Sequence, residues 1–253
     1  MSEPDYIYNR GLVNDTSAPT SGTDEDWKGI RVNRRGEQFD QPIGSWRHNL
    51  SKDGAYFTAH HTTIDVATTL AGHAAPVLVD GDLTMTKPIF FARNGATSSE
   101  TKRVYMDYVE IDVTVAGANG TSNHWSAQLD TGATRVTTAG TTFTSCNCNM
   151  QSSATPDLAV QGGVVVVGAE TANVRRLGSG TFRSTIEIAG DRYVFHFGQE
   201  SQAMNKVVTA ATVHHVNLGP VILGPTDQLA IALFQVAQDT AGIYRIRCGW
   251  WER

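Results

Sequence analysis

The stretch that decides the fold reads Val104-Tyr105-Met106-Asp107-Tyr108-Val109-Glu110-Ile111-Asp112-Val113-Thr114-Val115. Its side chains fall into two sets, because residues two positions apart lie on the same face of a β-strand. The alternation predicts a long strand whose apolar face packs against a core. One face should carry Tyr105, Val109, Ile111, Val113 and Val115, and the other Met106, Tyr108, Glu110, Asp112 and Thr114.

The segment 243–250 near the C-terminus follows the same rule. Adjacent side chains on a strand point to opposite faces, so one of Trp250 and Trp251 should face solvent or a neighbouring subunit. The segment therefore predicts a second strand with one apolar face. That face should carry Tyr244, Ile246, Cys248 and Trp250, and the opposite face Arg245 and Arg247.

Further short strands are expected through residues 51–253, separated by turns rich in glycine, asparagine and aspartate. Strands and helices do not alternate along the chain, as they would in a protein with a parallel sheet. The pattern therefore indicates a sandwich or a barrel. Eight or more main strands favour an all-β fold, a jelly-roll-like antiparallel β-sandwich. The additional strands are predicted near 55–60, 76–80, 83–93, 123–130, 141–149, 162–168, 172–177, 206–217, 220–224 and 228–237.

One hairpin can be assigned in register. Thr181–Ala189 and Arg192–Phe197 flank Gly190-Asp191, a pair suited to a type II′ turn. The turn would place the apolar residues of both strands on one face, and a slip of one residue would break that match. The predicted partners are Ala189 with Arg192, Ile188 with Tyr193, Ile186 with Phe195, and Ser184 with Phe197.

Residues 1–50 differ from this body. They are polar, interrupted by proline and glycine, and poor in periodic apolar positions. We expect an extended N-terminal arm at 1–50 and a β-sandwich domain at 51–253. Within the arm, residues 27–32 could form one short strand, with residues 33–36 as its turn. Two marginal strands do not bury enough apolar surface to be stable alone, so this segment should dock on a neighbour.

Composition narrows the class of protein. The 253 residues carry a net charge of −5, which disfavours non-specific binding of nucleic acid. No apolar stretch approaches the roughly 20 residues of a membrane-spanning helix, and the first residues lack the regions of a secretory signal. Cys146, Cys148 and Cys248 cannot form a disulfide framework, so we expect free thiols in a reducing cytoplasm.

Two sets of residues could bind a metal ion, and each has a simpler interpretation. His60-His61 and His214-His215 are adjacent pairs whose side chains point to opposite faces of a strand, and the His-x-His spacing of a cupin-type site is absent. Cys146 and Cys148 share a strand face, but a structural zinc site needs a second pair of ligands. We expect structural or surface histidines and buried or incidental thiols.

Two sets of acids have the same ambiguity. Glu110 and Asp112 share a strand face and could act as a pair of glycosidase carboxylates, although a solvated strand edge explains them as well. The acidic clusters 80–82 and 24–26 lack the full spacing of a calcium loop. No nucleophile, phosphate-loop or dinucleotide motif is present. We therefore expect a protein that is not an enzyme, with no catalytic residue, no metal site and no cofactor.

The arm instead carries aromatic and guanidinium side chains, the residue types that are enriched at interaction hot spots. They could bind a partner, or they could pack on the β body of the same chain. The C-terminal segment 245–253 has the same two interpretations. The candidate partner-binding residues are Trp27, Ile30, Arg31, Val32, Arg34, Arg35, Phe39, Trp46 and Arg47.

The segment Asp26-Trp27-Lys28-Gly29-Ile30-Arg31-Val32-Asn33-Arg34-Arg35-Gly36-Glu37 resembles a stretch near the N-terminus of many tailed-bacteriophage virion proteins. That stretch has an acidic residue before Trp, then Ile or Leu before Arg-Val and Asp or Asn, then Gly before a charged residue. The threonine- and glycine-rich body, which ends at Trp250-Trp251-Glu252-Arg253, is similar in style to jelly-roll capsid cement or decoration proteins.

The resemblance implies a structural protein of the virion, most simply a capsid cement protein on the outer capsid surface that is assembled in the host cytoplasm. Its partners would be the major capsid protein and copies of itself, with a homotrimer as the prototype, and neither nucleic acid nor membrane. Two alternatives stay open: a tail, collar or baseplate component, and a β-sandwich protein that binds carbohydrate during host attachment.

Overall fold

The computed structural model describes residues 46–61, 66–67, 77–79, 82–84, 87–96, 102–118, 122–132, 137–138, 140–163, 165–166, 170–198, 207–208, 211–235 and 242–253. The candidate arm residues before Trp46 and the acidic cluster 24–26 therefore lie outside the described residues. Contacts divide the chain into two units, Met1–Trp46 and Arg47–Arg253, and the fold below is that of the second.

One helix, α1 (Trp46–Lys52), precedes the strands in the described part of the chain and spans the boundary expected from composition. The strands, in chain order, are β1 (Tyr56–His61), β2 (Val66–Ala67), β3 (Val77–Val79), β4 (Asp82–Thr84), β5 (Phe90–Asn94), β6 (Val104–Val115), β7 (Asn123–Asp130), β8 (Thr137–Thr138), β9 (Thr141–Asn147), β10 (Leu158–Gly162), β11 (Val165–Val166), β12 (Arg175–Arg183), β13 (Arg192–Phe197), β14 (Val207–Val208), β15 (Ala211–Leu218), β16 (Ile222–Leu223), β17 (Gln228–Gln235) and β18 (Ile243–Glu252).

Eight of these strands form two layers. The first layer has the order β1-β18-β6-β13, and the second has the order β5-β17-β7-β12. The chain visits them as β1, β5, β6, β7, β12, β13, β17 and β18, so it changes layer at every step except from β7 to β12. Eight strands connected in this way form a jelly roll. The all-β, jelly-roll-like sandwich expected from the sequence is confirmed.

Strands outside the eight extend and join the layers. β9 pairs with β1, β10 pairs with β5, and β9 and β10 pair with each other at Thr141 and Thr142. The two layers are therefore continuous along one side. At the far edge of the first layer β15 runs parallel to β13, so the sheet is mixed, whereas the sequence led us to expect antiparallel pairing throughout.

The core lies between the layers and confirms the face assignment of β18. Tyr244, Ile246, Cys248 and Trp250 are almost fully buried in it, and the ring of Trp250 stacks on Phe57 of the neighbouring strand at 5.9 Å. Aromatic rings also meet across the layers, as Trp125 of β7 does with Phe195 of β13 at 5.5 Å. Offset and edge-to-face ring contacts of this kind add to the free energy gained by burying apolar surface.

Strand β6 departs from strict alternation. Val109, Ile111 and Val113 are buried as expected, but so is Met106, which was assigned to the opposite face. Gly249 of β18 pairs with Tyr108 while Trp250 pairs with Met106, so β6 has one extra residue at this point. Such a β-bulge changes which residues face the core. The prediction for Met106 was wrong, and Tyr105 instead stacks on Trp251.

The hairpin predicted around Gly190-Asp191 is also wrong. β12 ends at Arg183 and pairs with β7 in the second layer, whereas β13 pairs with β6 and β15 in the first. The fully buried carboxylate of Asp191 accepts hydrogen bonds from Arg183 at 2.7 Å and from the backbone N–H groups of Ile188 and Thr212 at 2.8 Å. These bonds hold residues 184–191 as a connection that crosses from one layer to the other. In a hairpin, the two strands would instead pair with each other.

Candidate interaction surface

Helix α1 is attached to the sandwich by a buried carboxylate. Arg47 donates two hydrogen bonds to Asp107, from Nε to Oδ2 at 2.7 Å and from Nη2 to Oδ1 at 2.9 Å. The hydroxyl of Tyr56 donates a third at 2.6 Å. Asp107 is fully buried while 43% of the Arg47 side chain is exposed. We call Arg47, Tyr56 and Asp107 the α1 anchor.

The β-bulge of β6 makes this anchor possible. Asp107 and Tyr108 are the two β6 residues at the register shift, and bulges commonly re-aim a side chain that regular alternation would direct elsewhere. Burial and the hydrogen bond to Asp107 raise the pKa of Tyr56 far above its ordinary value. The hydroxyl therefore stays protonated and continues to donate to the carboxylate. Paired, bidentate bonds to an ionised acceptor are among the stronger hydrogen bonds in proteins.

The other end of α1 is attached to β9 and the turn after it. Leu50 is buried, and Gly54 adopts a positive φ of 70° immediately beyond the helix, the conformation that favours glycine there. The amides of Asn149 and Asn147 donate to the carbonyl oxygens of Lys52 and Gly54 at 3.0 and 2.8 Å. These bonds satisfy carbonyl groups that a helix end leaves unpaired. Both ends of α1 are thus held by distant strands.

The structure places two of the predicted partner-binding residues. Trp46 is the first residue of α1, and Arg47 forms the ion pair with Asp107 of its own chain. The interpretation that these side chains pack on the chain's own body therefore describes Arg47. The remaining candidates, all outside the described residues, are Trp27, Ile30, Arg31, Val32, Arg34, Arg35 and Phe39.

Sequence reasoning missed Tyr56 and Asp107. Asp107, which accepts from Arg47, lies on β6, 60 positions along the chain. Tyr56, which also donates to Asp107, lies on β1, and no local pattern connects the three residues. One signal was present, because the apolar residues change phase between Met106 and Val109. A phase change within a strand pattern is what a bulge produces.

The outer face of the first layer carries a network of opposite charges. Arg247 of β18 donates two hydrogen bonds to Glu110 of β6, from Nε at 2.7 Å and from Nη2 at 2.5 Å. Arg192 of β13 lies 2.9 Å from Glu110 and 2.5 Å from Asp112. Both acids considered as a glycosidase pair are therefore bound to arginines. Their arrangement resembles a charged sheet surface more than a hydrolytic site, which would leave one acid able to protonate a leaving group.

The two C-terminal tryptophans separate as expected. Trp250 is fully buried, and Trp251 is partly exposed and stacks on Tyr105 with ring centroids 5.3 Å apart and planes 3° apart. The stack lies on the outer face of the first layer. Flat aromatic pairs suit protein partners as well as sugar rings, so this pair can contribute to either kind of surface.

His214 and His215 lie on opposite faces of β15. His214 points inward and is buried. His215 points outward, and its Nδ1 shares a hydrogen bond with Nε2 of His196 on β13 at 3.1 Å. Burial, with the nearby His215, lowers the pKa of His196. In the described part of the chain no three His, Cys, Asp or Glu side chains come together as ligands.

One buried acid stands out. Glu187, in the crossing between β12 and β13, is 1% exposed and accepts hydrogen bonds from the hydroxyl of Tyr244 at 2.7 Å and from the N–H of Gly117 at 3.2 Å. Burial raises the pKa of its carboxyl. A raised pKa is a mark of catalytic acids, but this carboxyl is enclosed by the core and its bonds attach the crossing to β18. We assign it a structural role.

No family model, no curated protein and no solved structure matches this chain. No helix among the described residues has the length and apolar character that a membrane crossing requires.

Proposed function

We propose that this protein is a non-enzymatic structural protein of a tailed-phage virion, a capsid cement protein that clamps neighbouring capsid subunits through the segment preceding α1. The observation that carries the proposal is the α1 anchor. A segment that binds a neighbour can hold two subunits together only if its own end is fixed to the body, and the bond between Arg47 and buried Asp107 supplies such a fixed point.

The position of the anchor suits a protein under tension. Asp107 lies on β6, which is flanked by β18 and β13 in the middle of the first layer. A pull on the chain before Arg47 is passed to a strand that is hydrogen-bonded on both sides. The bonds from Asn147 and Asn149 to the end of α1 distribute the load to β9 as well.

The identity of the partner rests on the resemblance of residues 26–37 to virion proteins. Under this proposal the hot-spot residues Trp27, Arg31 and Arg34 contact the major capsid protein, and an added strand at 27–32 could extend a neighbour's sheet. Copies of this chain, as a homotrimer, would multiply weak contacts through avidity. The protein would sit on the outer capsid surface after assembly in the host cytoplasm.

The test is co-sedimentation with purified empty heads of the source phage. We expect the full chain to bind, a variant lacking residues 1–45 to fail, and Arg47→Met to bind more weakly because the segment is no longer held at its origin. Lys52→Met is the matched control, since it removes the same charge from the same helix without touching Asp107, and it should bind as the unaltered chain does.

Other outcomes would overturn the proposal. Undiminished head binding without residues 1–45 would show that this segment is not the clamp. Binding to purified tails or baseplates with none to heads would favour the tail component. Binding to host polysaccharide that Trp251→Ala abolishes, with no binding to heads, would favour the carbohydrate-binding alternative.

A further inference from the structure

Three sulfur atoms lie close together in sequence at the exposed end of β9. Cys146, Cys148 and Met150 occupy alternate positions. Both cysteines are free and exposed, and Met150 is 100% exposed. Of the thiols expected to be buried or incidental, Cys248 is buried, whereas this pair is exposed. A fully exposed methionine beside two exposed thiols is unusual, because sulfur side chains are mostly buried.

The two thiols lie on the same side of the strand. Cys146 is directly opposite Thr58 in the pairing of β9 with β1, and its Sγ lies 3.2 Å from the Thr58 hydroxyl. The Sγ of Cys148 lies 3.9 Å from that same hydroxyl. Both sulfurs therefore gather around one oxygen atom, as expected from their spacing of two on a strand.

The site is also open. β10 pairs with β9 only at Thr141 and Thr142, so β1 is the one strand that pairs with β9 at Cys146 among the described residues. Both thiols are exposed, so an ion can reach the sulfurs from solvent. Met150 follows in the turn after β9, in which Ser152 N–H donates to the Asn149 carbonyl at 3.0 Å, and its side chain is free of burial.

The ligand types select the metal. Thiolates and thioethers are soft donors that favour Cu(I) over Mg²⁺, Ca²⁺ or Mn²⁺. A structural zinc site is almost always four-coordinate with Cys and His ligands, and the described residues bring no third Cys, His or acid to this pair. Two thiolates and one thioether give the ion only three ligands. A soft monovalent ion such as Cu(I) accepts so low a coordination number.

We propose that Cys146 and Cys148, with Met150 as a third ligand, form a binding site for one Cu(I) ion. Each thiol gives up its proton to solvent as its sulfur binds, so one Cu(I) is taken up and two protons are released without electron transfer. Because each thiol must lose its proton when its sulfur binds the ion, binding tightens as the pH rises.

The test is an anaerobic titration of the full chain with Cu(I) in competition with a colorimetric Cu(I) chelator. We expect one tightly bound ion per chain. Cys146→Ser and Cys148→Ser should each weaken binding by at least about 100-fold, because even the loss of an outer partner of a metal ligand costs about 10- to 100-fold in affinity. Met150→Leu should weaken it less, since the thioether is the weaker donor.

Cys248→Ser is the matched control, because it removes the third thiol, which is fully buried, and it should leave copper binding unchanged. Thermal melting of each variant shows that it is folded. Equal affinity in the Cys146→Ser/Cys148→Ser double variant would overturn the proposal. One copper for every two chains, with dimers formed on titration, would overturn it too, because the site would then lie between molecules.

Discussion

Gly249 of β18 lies directly opposite Tyr108 of β6, and a Cβ atom at position 249 would lie 2.5 Å from Cε1 of the tyrosine ring. The same Cβ would lie 2.6 Å from the hydroxyl of Tyr56. Glycine is therefore what allows the Tyr108 ring to lie across β18 beside the α1 anchor. Burial raises the pKa of Tyr108 to about 12, so its hydroxyl is uncharged in this position at neutral pH.

Gly249→Ala should consequently destabilise the protein. The new methyl group pushes on Tyr56, whose hydroxyl is bound to Asp107, so we expect the free energy of unfolding to fall by about 1–3 kcal/mol, as for other overpacked sites. Urea unfolding followed by tryptophan fluorescence measures it. Gly219→Ala is the control, because a Cβ there meets nothing within 4 Å. Equal effects of the two substitutions would contradict the packing argument.

The ion pair of the α1 anchor gives a second prediction. Arg47→Met leaves the buried Asp107 carboxylate without its cation, and Asp107→Asn removes the charge that Arg47 binds. In a double-mutant cycle we expect a coupling energy of about 1–2 kcal/mol, below the value for fully buried pairs because 43% of the Arg47 side chain is exposed to solvent screening. The measurement is urea unfolding of the four proteins. A coupling energy near zero would mean that the ion pair between Arg47 and Asp107 does not stabilise the fold.

The regular parts of this fold could be predicted from sequence. Strand β18 alternates without interruption from Tyr244 to Trp250, and its buried face was assigned correctly. The strand at 123–130 was placed at its observed bounds. In β18 the apolar face is buried from Tyr244 to Trp250 while Arg245 and Arg247 are exposed, so burial determines which residue types appear on each face.

The irregular parts of the fold could not be predicted from the sequence, and these parts position the candidate interaction surface. Period-two reasoning assigns faces by counting, so one extra residue at Asp107–Tyr108 reversed the assignment of Met106. The turn signal Gly190-Asp191 was read locally, but the Asp191 carboxylate binds Thr212, 21 positions away. Arg47 was identified as a candidate, yet its partner is set by the bulge. Such long-range bonds leave no spacing in the sequence.

Glu187 gives a prediction about acid stability. Burial raises the pKa of its carboxyl in the folded state, so between the unfolded and folded pKa values the native state binds more protons. Its contribution to stability is therefore present at low pH and is lost as the pH rises through the folded pKa. Glu187→Gln keeps an acceptor for Tyr244 and Gly117 and carries no charge. The variant should gain stability relative to the unaltered chain as the pH rises from about 4 to 8.

Urea unfolding of both proteins across this range measures the difference. The difference between the two curves should be smallest near pH 4, just below the ordinary pKa of glutamate, where the glutamate carboxyl is mostly protonated. Asp53→Asn, at an exposed site beyond α1, is the matched control for the loss of one carboxylate. A difference that shrinks as the pH rises would show that the carboxylate is favoured in the core, contrary to the direction given by its burial.

The histidine pair on the outer face gives a prediction of opposite sign. Burial and His215 lower the pKa of His196 in the folded state, so the unfolded state binds more protons between the two pKa values. Stability is then fully present above about pH 6.5 and is lost as the pH falls towards the folded pKa. The groups near His196 include Asp107 and Glu110, which favour its charged form, and Arg47, which opposes it. Burial outweighs the effect of the two carboxylates, so the pKa of His196 is lowered.

Replacing His196 by Gln should remove part of the stability loss that occurs as the pH falls. The variant should therefore lose less stability than the unaltered chain between about pH 6.5 and 5. The titration of His196, followed by NMR of its ring protons, gives the folded pKa directly, and it should lie below that of a histidine in an unfolded peptide. His60→Gln, at an exposed position of β1, serves as the control. A folded pKa above the peptide value would mean that Asp107 and Glu110 govern this histidine, and the variant would then lose more stability in acid.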